Sequence, residues 1–527
     1  MYEEEIGHVK HGVTWFDRWR PKPGPRFRAY EVLLPEGLSP VRAKGTEFAA
    51  EARRLAGLDD DYIEHLRLYR ASKGRPPWVM WFNPGVEEEN RFGADWVPSE
   101  VLRSVAEDFS LLMGQLAGEE DILLRTRTPS PEIRAYLDDN ALPLPAIVQV
   151  DDASSVAAAV DARHIGKLMP WGVSPKSAEM LMPLRGRLVG DEGAVLDRWG
   201  DTVRSWGKDE LHALRAEVVA RLRAGVDEAT RARIATPESL GEHYSSLEAL
   251  EARLASDGAR PLVVKAPRGA SARGAIRVQQ PQLTDAQRAW AEKIFRLDGA
   301  VVLEHWRVRV ADLSWQLDVG EESITHYGAA RFLTDARGQY TGALMHRHTE
   351  GLREDVVRWI HDEGRSSRWL RSAQRSVAQW VGEGLRARGY YGPAGIDAMI
   401  YREGDRLVFQ PIIEVNTRIT MGRVTLALER RVSRRRVGAM VLVSTESLRA
   451  QHGSVDAAIE WAASEHPPVL AGAGPGRTID GGLVWLTDVW RAEAHVAALL
   501  VASDWEALRA LAFALAPSAG QGLAPLE

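Results

Sequence analysis

The stretch GIDAMIYREGDRLVFQPIIEVNTRITMGR, residues 395–423, constrains this chain more than any other. It predicts two β-strands joined by a short turn at Glu403-Gly404-Asp405. Asp397 falls near the start of the first strand, and Glu414 and Asn416 near the end of the second. Strand side chains alternate between faces, so Glu414 and Asn416 point the same way. Three oxygen donors then meet on one face of a sheet. Glu414 and Asn416 sit in an otherwise apolar strand, Pro411-Ile-Ile-x-Val415. A carboxylate there is costly unless it is paired or metal-bound. Hard oxygen ligands suit Mg²⁺, which commonly arrives with phosphates. A polar sheet edge reads the same residues, so the triad needs company before it means chemistry.

The rest of the chain can supply it. With 527 residues there is room for two to four domains with full cores. The chain is 45% hydrophobic and 27% charged, which is globular, and its net charge of −6 points to neither nucleic acid nor an acidic membrane as partner. It has no cysteine, which excludes disulfides, thiolate metal sites and cysteine catalysis and fits a cytoplasmic protein. The N-terminus MYEEEIGHVKHG is acidic and lacks the apolar core of a signal peptide. No apolar run is long enough to span a membrane. Most of the 18 Trp residues are expected in cores or interfaces.

Strands and helices alternate from about residue 77 to 150. Pro77–Phe82, Asp121–Arg125 and Ala146–Val150 read as strands, Pro98–Leu116 and Ser130–Leu137 as helices, and a further helix is expected over about 43–71. Such βαβ alternation predicts a parallel sheet covered by helices. Residues 1–205 are therefore expected to form an N-terminal α/β domain with an extension before it. A helix over 208–225, short strands at Pro261–Lys265, Val301–Glu304, Leu313–Val319 and Ile324–Leu333, and a long helix over 366–389 precede the Asp397/Glu414 strands. Beyond Leu428 the expectation is helix, a Pro/Gly loop at Gly474–Gly482, then helix again.

Three further constellations carry chemistry. Lys265-Ala-Pro-Arg-Gly-Ala-Ser-Ala-Arg-Gly274 delivers a lysine from a strand into a loop of small residues. Such a loop can fold its N–H groups over phosphates while the lysine neutralises them, although GxxxxGK[ST] is absent and a surface hairpin fits as well. Glu304-His-Trp-Arg307, with Asp312 following, reads as a strand end that could meet an adenine edge and ribose hydroxyls, or as a solvated strand end. Arg418 and Arg423 follow the triad closely and could meet a transferring phosphoryl group. His346-x-His348 lacks an evident third ligand, and Arg430–Arg436 is a basic run that reads as a solvated face or as a patch for an acidic partner. Trp81–Gly85 ends a strand where α/β sheets bind ligands.

Lysine strand, small-residue loop, acidic hinge, Asp strand and Glu-x-Asn strand, in that order, resemble the ATP-grasp superfamily of carboxylate–amine ligases over about residues 205–430. The resemblance implies an α/β chain: a Rossmann-like N-terminal domain (1–205), a two-lobed α+β ATP-grasp domain (206–430) and a C-terminal extension packed on it (431–527). It implies ATP and Mg²⁺ as cofactors, with Mn²⁺ as an alternative. Asp397, Glu414 and Asn416 are then the metal ligands. Lys265 meets the α- and β-phosphates, and Arg268, Gly269, Ser271 and Gly274 belong to the closing loop. Glu304, His305, Trp306 and Arg307 form the adenine hinge, and Asp312 takes the ribose. Lys208 is carried over as the second nucleotide lysine, at a longer spacing than usual. Arg418 and Arg331 are the catalytic cations, with Arg347 behind Arg331. The implied reaction is ATP-dependent amide or peptide bond formation through an acyl-phosphate, with small-molecule or peptide carboxylate and amine substrates. A phosphotransferase and a non-catalytic ATP-binding scaffold are the alternatives. No membrane or nucleic-acid partner is expected, and a homodimer is compatible with the family.

Overall fold

The computed structural model describes residues 2–523 apart from 21, 23, 35–39, 45–47, 70–74, 94, 163, 191, 198, 200–206, 208, 209, 257–260, 269–273, 336, 337, 363–367 and 473–475. Four helices, Tyr2–Trp19, Arg26–Leu33, Ala50–Leu55 and Asp60–Leu68, open the chain around a small core of Phe27, Tyr62 and Leu66. The single helix expected over 43–71 is broken in two. Gly57 adopts a left-handed φ of 91°, and Asp59 caps the next helix by accepting from the Tyr62 N–H.

The βαβ pattern then builds a parallel sheet of β1 (Trp78–Trp81), β2 (Ile122–Arg125), β3 (Ala146–Gln149) and β4 (Lys167–Pro170), ordered β3-β2-β1-β4. Its strands are short and apolar because helices cover both faces. A second, antiparallel sheet joins β5 (Glu242–Tyr244), β6 (Leu262–Lys265), β7 (Ala275–Val278) and β8 (Val301–His305) in the order β5-β8-β6-β7. The helices Leu247–Ser256 and Asp285–Asp298 pack on it to close a small lobe.

The third sheet has nine strands. They are β9 (Val308–Val319), β10 (Ile324–Thr334), β11 (Tyr340–Met345), β12 (Gly392–Glu403), β13 (Arg406–Asn416), β14 (Val437–Ser444), β15 (Val469–Ala471), β16 (Thr478–Trp485) and β17 (His495–Ala502). Their order is β13-β12-β9-β10-β11-β14-β17-β16-β15. The hairpin read from 395–423 is present as β12 and β13, turning at Gly404 with φ 60°. Asp397 lies mid-strand, and its β12 register neighbours set the site. One face of β9 and β12, bearing Leu313, Trp315, Leu317, Ile396 and Ala398, packs on the helices His212–Ala224 and Arg368–Ala387. The opposite face is the polar one.

The region after 430 departs from its helical expectation. β14, β16 and β17 continue the sheet from β11 outward, and the helices Thr445–His452, Val455–Glu465 and Trp505–Leu515 cover one side of them. The basic run Arg430–Arg436 is the turn that leads into β14.

Candidate active site

On β9 the residues Asp312, Ser314, Gln316 and Asp318 alternate with core residues and form a polar row. The ladder sets Asp397 opposite Ser314 on one side and opposite Glu414 on the other, with Asn416 opposite Gly395. Paired residues of an antiparallel ladder share a face, so all three predicted ligands stand together. The Asn416 amide donates to Asp397 Oδ2 at 3.0 Å, and the Ser314 hydroxyl donates to Asp397 Oδ1 at 2.7 Å. Burial first, and the Glu414 charge second, push the Asp397 carboxyl up to about 7, against the pull of Ser314 and Arg418. Two facing carboxylates that resist ionising together are a setting a divalent cation relieves. The third donor is an amide: among the described residues no group of three or more His, Cys, Asp or Glu is arranged to hold a metal.

Arg418 closes this end. Its Nη2 donates to Asn416 Oδ1 at 3.3 Å, its Nη1 to the Ile419 carbonyl at 3.2 Å, and its Nε to Glu87. Burial opposes the charge of the guanidinium, but Glu87, Glu414 and Asp397 outweigh it and hold the group above its ordinary value. Further along the same face, Arg423 and Lys167 both meet Asp318, at 3.3 and 3.6 Å. Thr420 bridges this part of the row by donating to Gln316 Oε1 at 2.8 Å.

The small lobe supplies a second cluster. Lys265 and Glu304 are neighbours on β6 and β8, with Nζ and Oε2 2.5 Å apart. Arg215, from the helix His212–Ala224, points at the same carboxylate, its Nη2 3.7 Å from Glu304 Oε1. Arg215 is 1% exposed, and among the described residues its Nε and Nη1 have no hydrogen-bond partner. Two cations thus share one anion in a buried setting, and one of them is short of acceptors. The sequence reading missed Arg215. Its signal was present, since Arg215 stands in the stripe Leu211, Leu214, Val218, Leu222, where an arginine is out of place.

His305, Trp306 and Arg307 form the passage from β8 to β9, where the small lobe joins the large sheet. The Trp306 N–H donates to the Pro261 carbonyl at 2.9 Å, and the guanidinium groups of Arg277 and Arg309 lie over its ring, 4.9 and 5.6 Å from the centroid. Arg307 pairs with Glu403 at 2.9 Å over the Tyr401 ring. Asp312 shares the face of the triad, buried, and accepts from Thr334 at 3.0 Å and Arg309 at 3.4 Å. Burial raises its carboxyl.

Not every expected residue joins. Arg331 stands opposite Leu313 and Leu344, so its side chain leaves β10 on the helix-covered face, away from Asp397. It donates to the His348 and Glu350 carbonyls, at 3.0 and 2.6 Å, and burial lowers its pKa to about 10. Sequence gives the period of a strand but not which face a given residue takes in its register. Arg347 pairs with Glu350 at the surface. Arg268 lies at the rim, 3.2 Å from Glu210 and 4.0 Å from Asp298. Gly274 closes the β6–β7 hairpin through a bond from the Ala266 N–H, while Lys208, Gly269 and Ser271 lie outside the described residues. His346 and His348 both face Glu429, at 3.0 and 4.0 Å.

No family model and no curated protein matches the chain. Among solved structures, it is similar to an ADP complex of an N5-carboxyaminoimidazole ribonucleotide synthetase, at 11% identity and a TM-score of 0.44, over 84% of this chain and 96% of that one. It is also similar to a biotin carboxylase–ATP complex from Campylobacter jejuni (12%, TM-score 0.41, 84% and 92%). A third is the N5-carboxyaminoimidazole ribonucleotide synthetase from Thermus thermophilus (14%, TM-score 0.39, 83% and 97%). The site's own geometry carries the functional reading.

Proposed function

We propose that the chain is an ATP-grasp enzyme, an ATP-dependent carboxylate–amine ligase that forms an amide bond through an acyl-phosphate and releases ADP and phosphate. The observation that carries the reading is the convergence of Asp397, Glu414 and Asn416 on one sheet face, with Arg418 against them. A hard divalent cation fits that donor set, since burial and the facing Glu414 make it costly for Asp397 to stay ionised there without a neighbouring positive charge. Asp397, Glu414 and Asn416 would hold Mg²⁺, which neutralises phosphate charge in phosphoryl transfer.

The chain's own residues do the rest. Lys265 and Arg215 would exchange their shared partner Glu304 for the nucleotide phosphates, alongside Lys208. The hinge 305–307 offers its backbone to the base, and Asp312 its carboxylate to the ribose. Arg418 sits where charge develops as a substrate carboxylate attacks the γ-phosphorus and ADP leaves. The amine nitrogen then attacks the acyl carbon, the C–O bond to phosphate breaks, and the amine loses a proton. The polar row beyond Gln316, where Arg423 and Lys167 meet Asp318, would line the acceptor side of the site.

The test is ADP release from MgATP across a panel of amino acids and short peptides, with products weighed by mass spectrometry. An amide product, lost with Glu414→Gln, is expected. A phosphoester product would replace this reading with a phosphotransferase, and undiminished ADP release by Glu414→Gln would remove the triad from the mechanism.

A further inference from the structure

The reacting face is not completed by the two lobes alone. Glu87 belongs to the N-terminal domain, on the helix Val86–Phe92 that follows β1, yet its Oε1 takes the Nε–H of Arg418. That helix is itself fastened. Asn83 exchanges hydrogen bonds with Gly172, at 3.0 and 3.1 Å, and Asn90 donates to the Val173 carbonyl at 2.9 Å. The same domain also holds the backbone beside Arg418: the Ile419 N–H donates to the Trp171 carbonyl at 2.8 Å. Arg418 is thus gripped through its side chain and through the next peptide, both times by the N-terminal domain.

Stability alone does not account for Glu87. Its Oε2 is shielded from solvent and accepts no hydrogen bond among the described residues, and an orphaned buried acceptor is costly. With its Nε held by Glu87 and its Nη1 by the Ile419 carbonyl, the guanidinium has one orientation left, the one that turns Nη2 to Asn416 and the metal ligands.

We propose that Glu87 is a positioning residue for the reacting centre: it fixes the Arg418 guanidinium from the N-terminal domain, so that the centre is assembled across the domain boundary. The inference rests on the ligase reading for the chemistry that Arg418 serves, but not for the contact itself. Supporting partners of this kind typically cost about 10–100-fold in activity when removed.

The experiment is a double-mutant cycle on the full-length protein: Glu87→Gln, Glu87→Ala, Arg418→Ala and Glu87→Ala/Arg418→Ala. It measures kcat and KM for MgATP by ADP release, MgADP affinity by calorimetry and the melting temperature. The expected result is a fall in kcat of about 10–100-fold for Glu87→Ala with KM and MgADP affinity within about threefold of wild type. The double variant should be no slower than Arg418→Ala, because the two residues act as one unit. Losses that multiply in the double variant would overturn the proposal, as would a rate loss matched by a loss of folded protein. Glu87→Gln keeps the side-chain shape and decides the point if Glu87→Ala does not fold. Should wild type release ADP without forming an amide, the ligase reading fails while the cycle still reads the Glu87–Arg418 coupling. No ADP release by wild type would refute both.

Discussion

Asp397 and Glu414 face each other across one rung of the β12–β13 ladder, and the charge of Glu414 adds to burial against ionising Asp397. Ionising Asp397 therefore works against the fold. Its carboxyl titrates from 3.8 when unfolded to about 7 when folded, so the folded state binds the proton more tightly. The sign follows: this group's cost is absent below pH 4, grows as pH rises between those values, and is complete above 7. A bound divalent cation reverses the cost. Mg²⁺ should thus raise the melting temperature more at pH 8 than at pH 6, as read by scanning fluorimetry with and without EDTA. An equal shift at both values would mean that Asp397 is not a ligand. The triad was legible in the sequence because a β-hairpin with a glycine turn fixes both alternation and, nearly, register. Ser314 was legible too, had the row Asp312-x-Ser-x-Gln-x-Asp318 been read as a strand with a polar face.

At the scale of elements, a helix that should be apolar on its inner face carries Arg215 instead. Arg215 is 1% exposed, two of its nitrogens lack a partner among the described residues, and its third faces Glu304 at 3.7 Å, an arrangement that serves charge better than packing. Arg215→Leu should raise the melting temperature and lower MgATP affinity by at least about tenfold, a stability–function exchange. Calorimetry and a thermal melt on the same sample check both signs, and unchanged affinity would return Arg215 to a structural role. Arg331 predicts the opposite pattern. It satisfies the carbonyls of 348 and 350 on the helix-covered face, so Arg331→Met should lower the melting temperature while ADP release per folded molecule changes far less than in Arg418→Ala. Legibility fails at this scale for definite reasons. β14 (VGAMVLVS) and β17 (HVAALLVA) are covered on both faces, so they show no alternation, and an apolar run with alanines reads as helix. Arg331 was placed in the right strand and on the wrong face, because composition says nothing about which residue opposes which.

For the whole molecule, the consequence of two lobes and an N-terminal domain is that charges must be matched between bodies distant in sequence. Arg91, on the helix of Glu87, meets Asp298 at the end of the small-lobe helix Asp285–Asp298, at 2.8 Å. The Asp298 side chain is fully buried, and Arg268 also faces it at 4.0 Å. The same short helix Val86–Phe92 therefore reaches Arg418, just beyond β13, through Glu87 and the small lobe through Arg91. Breaking a buried ion pair by removing one partner costs about 3–5 kcal/mol, because the remaining charge stays desolvated. Arg91→Ala should lose stability in denaturant titrations, by less than that because Arg268 still faces Asp298. Hydrogen exchange should rise at the C-terminal end of helix Asp285–Asp298 before it rises in β9 or β12. Adding Asp298→Asn to Arg91→Ala removes the buried carboxylate that Arg91 faced and should recover part of the loss. If Arg91→Ala alone leaves both exchange and stability unchanged, the small lobe is held by the hinge and its own core, and the N-terminal domain does not set its position.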